Sequence, residues 1–165
     1  MTIASDLRSL RRRVDMMLSR GFLRGTVDSG GVQRMQVGAL EGETLDNVER
    51  FQTFGLSTVP PPGGDVLLGC VAGNRDHPIV IAVNDRSSRP KGLRDGESVL
   101  YNSFQCFVSL SAEGDVIVRG ARNVSIEGVE AVTIRAGEAI QIASGTSITL
   151  AAPASTITAN GNVLG

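Results

Sequence analysis

Tryptophan is absent from this 165-residue chain, tyrosine and histidine occur once each, and aromatic residues make up only 4% of it. Scarcity of this kind removes whole classes of chemistry. With His77 as the sole histidine, neither a Ser/His/Asp relay nor a multi-histidine metal site is expected, and no phosphate-cradling glycine loop occurs. His77 lies in a Gly73-Asn74-Arg75-Asp76-His77 turn, where a hydrogen-bonding role is the simpler reading. Asp76, Asp85 and Glu97 are better explained by contacts between strands or subunits than by catalysis. The two cysteines, Cys70 and Cys106, lie far apart in apolar runs and match no metal or redox spacing, so buried free thiols are expected. A net charge of −1 gives no general attraction for polyanions, and no nucleic-acid partner is expected. The first twenty residues are rich in arginine rather than apolar, and no run reaches the roughly 20 residues of a membrane span. The chain is therefore expected to be made in the cytoplasm without a signal peptide.

What is present is a count of eight. Val108, Val116, Val124, Val132, Ile140 and Ile148 recur at that interval, each followed two residues later by Leu110, Val118, Ile126, Ile134, Ile142 and Leu150. Residues i and i+2 of a strand share one face. Each octad thus reads as a short strand with two inward aliphatic side chains, then a polar or small corner at Ala112, Gly120, Gly128, Ala136, Ser144 or Ala152. Fixed-period repetition of this kind marks a solenoid or fibre. Two inward residues per repeat are too few to close a core in one chain, and unpaired strand edges need neighbours. Three copies wound around one axis meet both demands, so these twelve residues are expected to form the trimer core of an intertwined, triple-stranded β-helical shaft. A single-chain parallel β-helix would need longer coils. With strands stacked about 4.8 Å apart, the shaft would stand roughly 35 Å tall.

Upstream, Ile3, Leu7, Leu10, Val14 and Met17 advance by four, three, four and three, the seam of a heptad helix over residues 1–20. Two heptads are marginal alone, so this helix is expected to lean on a trimer formed elsewhere or on a partner. Gly21 reads as its stop. Residues 21–84 then change to strand periodicity. Phe22–Val27 and Val32–Leu40 flank the turn Asp28-Ser29-Gly30-Gly31, a third strand covers Asn47–Phe54, and Val66–Ala72 and Ile79–Val83 are short and apolar. Consecutive prolines at Pro60-Pro61-Pro62 make an irregular loop. Five strands in this length fit a small OB-fold-like β-barrel. Residues 85–105 form a polar connector, within which Gly96–Tyr101 re-enters strand, and the shaft occupies residues 106–165. The fold class expected is mainly β, with an N-terminal helix, the barrel and the octad shaft in that order.

Charge thins along the shaft. Arg119, Arg122, Arg135, Glu113, Asp115, Glu127, Glu130 and Glu138 lie in its first half, and no charged side chain occurs from Ala139 to Gly165. Ions are costly in hydrocarbon, so that half is the one suited to entering a bilayer.

Several motifs fall in a specific order: Phe51-Gln52-Thr53-Phe54-Gly55-Leu56-Ser57, the Pro60-Pro61-Pro62-Gly63 loop, Gly73-Asn74-Arg75-Asp76-His77, Asn84-Asp85-Arg86-Ser87-Ser88-Arg89-Pro90 and Gly96-Glu97-Ser98-Val99-Leu100-Tyr101. With the helix before them and the octads behind, they resemble the Mu-type phage baseplate assembly proteins, the central spike of a contractile tail. The resemblance implies a homotrimeric, non-enzymatic virion protein at the tail tip. It would dock under a baseplate hub protein and pierce the host outer membrane when the sheath contracts. Members of that family usually end the needle in a His-x-His pair whose three copies hold iron. This chain ends Asn160-Gly161-Asn162-Val163-Leu164-Gly165 without one, so no metal or other cofactor is carried over, and the apex is expected either to lie outside this chain or to be closed by a separate tip-capping protein. The other readings are a spike of a type VI secretion-like or related contractile injection device, and a receptor- or glycan-binding tail-fibre module.

Overall fold

In the computed structural model, residues 3–149 apart from Val129 are described, and the chain divides after Val124 into two units. The first unit begins with helix α1 (Ile3–Asp15). Strands β1 (Leu18–Val27), β2 (Arg34–Gly38), β3 (Thr44–Arg50), β4 (Asp65–Cys70) and β5 (Pro78–Asn84) follow, with a short 3-10 turn at Val71–Gly73. Then come β6 (Ser98–Tyr101), β7 (Phe107–Leu110) and β8 (Val116–Arg119).

The first five strands close into the small barrel expected, in the order β1-β2-β3-β5-β4. All neighbours are antiparallel except β3 and β5, which run parallel through Glu49↔Ile79 and Arg50↔Val80. Alternation puts Leu23, Met35, Val37, Val48, Val66, Leu68 and Val80 inside, where they form one buried cluster. Register shifts at Leu23/Gly25, Met35/Val37 and Leu67/Leu68 give the local bending that a closed sheet of short strands requires. Opposite Phe22 in the β1–β2 ladder stands Gly38, and the Phe22 ring covers it so closely that no side chain fits there.

The helix is shorter than the sequence suggests. It ends at Asp15 rather than at Gly21, and β1 starts at Leu18, so the barrel claims residues assigned to the helix. The cause is backbone pairing. Leu18 to Phe22 pair with Gly69 to Asp65 of β4, and the Cys70 N–H donates to the Met17 carbonyl at 2.8 Å. Those ladder bonds hold Met17 at the mouth of the barrel, off the heptad seam. Beneath the last helical turn sits Gly73, at φ +70°, packed against the Arg13 carbonyl, an approach and a conformation that both favour glycine.

β6, β7 and β8 make a separate antiparallel sheet. The connector therefore supplies its first strand, and the first two octads pair with each other in one chain. The reason is the corner between them. Ser111 N–H donates to the Asp115 carbonyl (3.0 Å), Asp115 N–H to Ser111 Oγ (3.1 Å), and Gly114 sits at φ +89°, which together reverse the chain. Among the described residues no strand follows β8.

Candidate functional site

The face that carries the octads is the chemically distinctive surface of the first unit. Ladder partners Leu100↔Val108, Val108↔Val118 and Leu110↔Val116 set five aliphatic side chains on one side of the β6-β7-β8 sheet. All five are exposed in one chain, from 37% at Val108 to 70% at Val116. Val99, Phe107 and Ile117 on the opposite face are more covered. A contiguous aliphatic sheet face open to water marks an association surface.

Of the expected shaft core, Val108, Leu110, Val116 and Val118 are thus brought onto one face. Val124 lies beyond β8, exposed and outside any strand. In the second unit Ile126, Val132, Ile134, Ile140, Ile142 and Ile148 are likewise exposed and non-strand. Leu150 lies outside the described residues. Leu100 was missed as a member of the face, although it stands eight residues before Val108 and extends the count by one. The helix seam splits: Ile3, Leu7, Leu10 and Val14 are exposed along α1, whereas Met17 belongs to the barrel mouth.

An ionic fork fixes the edge of this sheet. Arg94 donates through both terminal nitrogens to the two Glu113 oxygens, each at 2.6 Å, and through Nε and Nη2 to Glu97 Oε1 at 2.9 and 2.7 Å. Glu97 Oε1 also accepts the Ala112 N–H at 3.2 Å, and its other oxygen accepts the Arg94 N–H at 2.9 Å. The strand-entry loop is thereby tied to the β7–β8 corner. The backbone N–H and side chain of Arg94 hold Glu97 below its usual pKa, Arg94 does the same for Glu113, and the two carboxylates raise that of Arg94. At the start of the connector, the Ser88 and Ser87 hydroxyls and N–H groups all donate to Asp85, which lowers its pKa to about 2. Asp85 and Glu97 each close a loop through these hydrogen bonds.

In the barrel, a second polar cluster holds the loop after β3. Buried Gln33 donates to Asp28 Oδ1 (2.8 Å) and to the Thr58 carbonyl (3.2 Å), and its own carbonyl oxygen accepts from Arg50 (2.8 Å). Arg50 also reaches the Thr58 carbonyl (2.6 Å) and Oγ1 (2.9 Å), and burial pushes its pKa down. Phe54, at the turn of this loop, is fully exposed, and Phe51 is largely so; neither occupies the strand position expected. Arg75 pairs with Glu43 across the barrel end and lowers its pKa. Cys70 is buried, while Cys106 is only half-buried. His77 holds its turn by backbone bonds, donating to the Asn74 carbonyl at 3.3 Å and accepting from Val71. Among the described residues no cluster of metal-ligating side chains occurs, and no helix is long and apolar enough to cross a membrane.

The family described as "Bacteriophage Mu Gp45, N-terminal" matches residues 20–87, the barrel and the start of the connector. Over 112 residues the chain is 38% identical to "Baseplate puncturing device gp45" of Escherichia phage Mu, covering 68% of this chain and 57% of that protein. Over 109 residues it is 34% identical to "Mu-like prophage FluMu protein gp45" of Haemophilus influenzae, covering 66% of this chain and 59% of that one. The chain thus spans somewhat more than half the length of these relatives, and it is similar to the Mu-type baseplate spike proteins.

Proposed function

Starting from that kinship, we propose that this protein is the central spike of a contractile phage tail, a homotrimer that sits under the baseplate hub and is driven through the host outer membrane when the sheath contracts. The observation that carries the reading is the exposed aliphatic face Leu100, Val108, Leu110, Val116 and Val118. A sheet side of this kind is unsuited to water and suited to a threefold axis, where β-branched side chains of three chains meet. The octads from Val124 to Leu150 continue the same seam as an intertwined β-helical shaft. Among the described residues the repeats after β8 have no strand neighbours in one chain, and two further copies would supply them.

Puncture asks for mechanical properties rather than bond chemistry. Backbone pairing across three chains gives stiffness, and a narrow aliphatic axis gives a small cross-section. The absence of charge from Ala139 to Gly165 avoids the several kcal/mol that each ion would cost in hydrocarbon. The barrel is the collar that meets the hub, and the exposed Phe54 loop, held by Gln33 and Arg50, is suited to that contact. That the named relatives are a phage and a prophage protein favours a phage owner over another contractile injection device.

The test is the mass and place of the assembled protein. Sedimentation of the full chain should give three times the 17.3 kDa subunit, and electron microscopy of tails should put the trimer on the axis beneath the baseplate. A stable monomer in native buffer, or a location on lateral fibres, would refute the proposal.

A further inference from the structure

We infer that helix α1 forms a parallel coiled coil with the same helix of the other two copies, an assembly contact distinct from the octad face. The inference rests on the trimer proposed above and adds a second seam at the opposite end of the described chain. Ile3, Leu7, Leu10 and Val14 lie along one side of Ile3–Asp15, and all four are exposed. A thirteen-residue helix is marginal in water unless its apolar stripe is buried against something. The root of this helix is held: the Arg13 carbonyl packs on Gly73, Arg75 reaches Met16 Sδ at 3.7 Å, and Cys70 bonds the Met17 carbonyl. The barrel therefore fixes where the helix ends and leaves its stripe uncovered.

Charge placement identifies the occupant. With Leu7 and Val14 at a, and Ile3 and Leu10 at d, Asp6 falls at g and Arg11 at e. In a parallel coil, g of one helix faces e of the next heptad on its neighbour, so Asp6 meets Arg11 of an adjacent copy. Within one chain Arg11 reaches only Asp15, at 3.8 Å with both side chains well exposed, a weak pair that leaves it available. Arg8 and Arg12 fall at b and f, away from the seam. An acid and a base flanking the stripe at complementary positions suit a copy of this helix better than a uniformly acidic partner. Cyclic symmetry makes the three helices parallel.

The experiment uses the full chain carrying Cys106→Ser, so that only buried Cys70 remains. Leu10→Cys places a thiol at d, and Arg12→Cys places one at f. On mild oxidation Leu10→Cys should give covalently linked pairs of chains at least ten-fold faster than Arg12→Cys, with the sedimentation mass of each followed in parallel. Equal, slow linkage in a particle that still sediments as three chains would overturn the coil while leaving the trimer standing. A monomeric mass would remove the trimer and the coil with it. Asp6→Arg should slow linkage of Leu10→Cys about two-fold, and adding Arg11→Asp should restore it. Failure to restore would overturn this register.

Discussion

Val116→Asp is the sharpest probe of the octad face, because Val116 is the most exposed of its five aliphatic side chains at 70%. Burying the exposed half of a valine or leucine is worth about 1 kcal/mol. Five such side chains in each of three chains then contribute on the order of 15 kcal/mol to a trimer. A trimer forms in two association steps, each costing roughly 4–15 kcal/mol in lost translational and rotational freedom. The sheet face alone is thus close to break-even, and the remaining octads supply the surplus. Replacing Val116 removes about 3 kcal/mol of burial from the trimer and brings three carboxylates close together near the axis, each costing several kcal/mol to desolvate. The total, on the order of 10 kcal/mol, corresponds to about seven powers of ten in the association constant. Sedimentation velocity at micromolar subunit should therefore show the variant as monomer and the parent as trimer. Arg119→Glu, on the opposite side of β8, should remain trimeric. The barrel shares no strand with this sheet, so far-ultraviolet circular dichroism should show it still folded in both. A Val116→Asp protein that sediments with the parent would refute the seam.

In the barrel, Gln33→Leu strips Arg50, Asp28 and Thr58 of a buried partner and should cost about 1–3 kcal/mol, read as a thermal midpoint lowered by roughly 4–15 °C. Leu68→Ala opens a cavity in the fully buried cluster and should cost about 2–5 kcal/mol in urea denaturation. Asp85 has a folded pKa of about 2, below its ordinary 3.8, so its contribution to folding is present above pH 3.8 and is lost as the pH falls through 2. NMR titration should find that midpoint, and Asp85→Asn should abolish the matching shifts of the Ser87 and Ser88 amides. Glu113→Gln should speed hydrogen exchange at the Ala112 amide by loosening Arg94 from Glu97, with no loss of the barrel.

The barrel strands were legible because alternation and turn chemistry agreed. Asp28-Ser29-Gly30-Gly31 separates β1 from β2, whereas β4 reads only as a short apolar run and its inward Val66 and Leu68 emerge from the ladder. The end of α1 was not legible. Arg20, Gly21 and Phe22 suit a helix terminus locally, and only the distant ladder to β4 converts Leu18–Arg20 into strand. A pairing partner about fifty residues away leaves no local signature in the chain that receives it. Phe54 misled for the opposite reason, since an aromatic residue suits a strand until the Gly55 turn ends it and exposes the ring.

The octads separate two kinds of information. Which side chains share a face follows from the two-residue period of a strand, and the ladder partners of Val108, Leu110, Val116 and Val118 agree with it. Which strands lie beside one another depends on the corners, and the Ser111–Asp115 reversal folds the first two repeats onto each other. The corner at Gly120-Ala121-Arg122-Asn123 has no such Ser–Asp closure, and the later corners centre on Gly128, Gly137 and Gly145. In the proposed trimer the later repeats take their strand partners from other copies, and the change in corner chemistry after β8 would mark where an intramolecular sheet gives way to an intermolecular shaft. Replacing Arg119–Asn123 by the five residues of the Ser111–Asp115 corner should therefore weaken trimerisation while keeping the octad register and every seam residue.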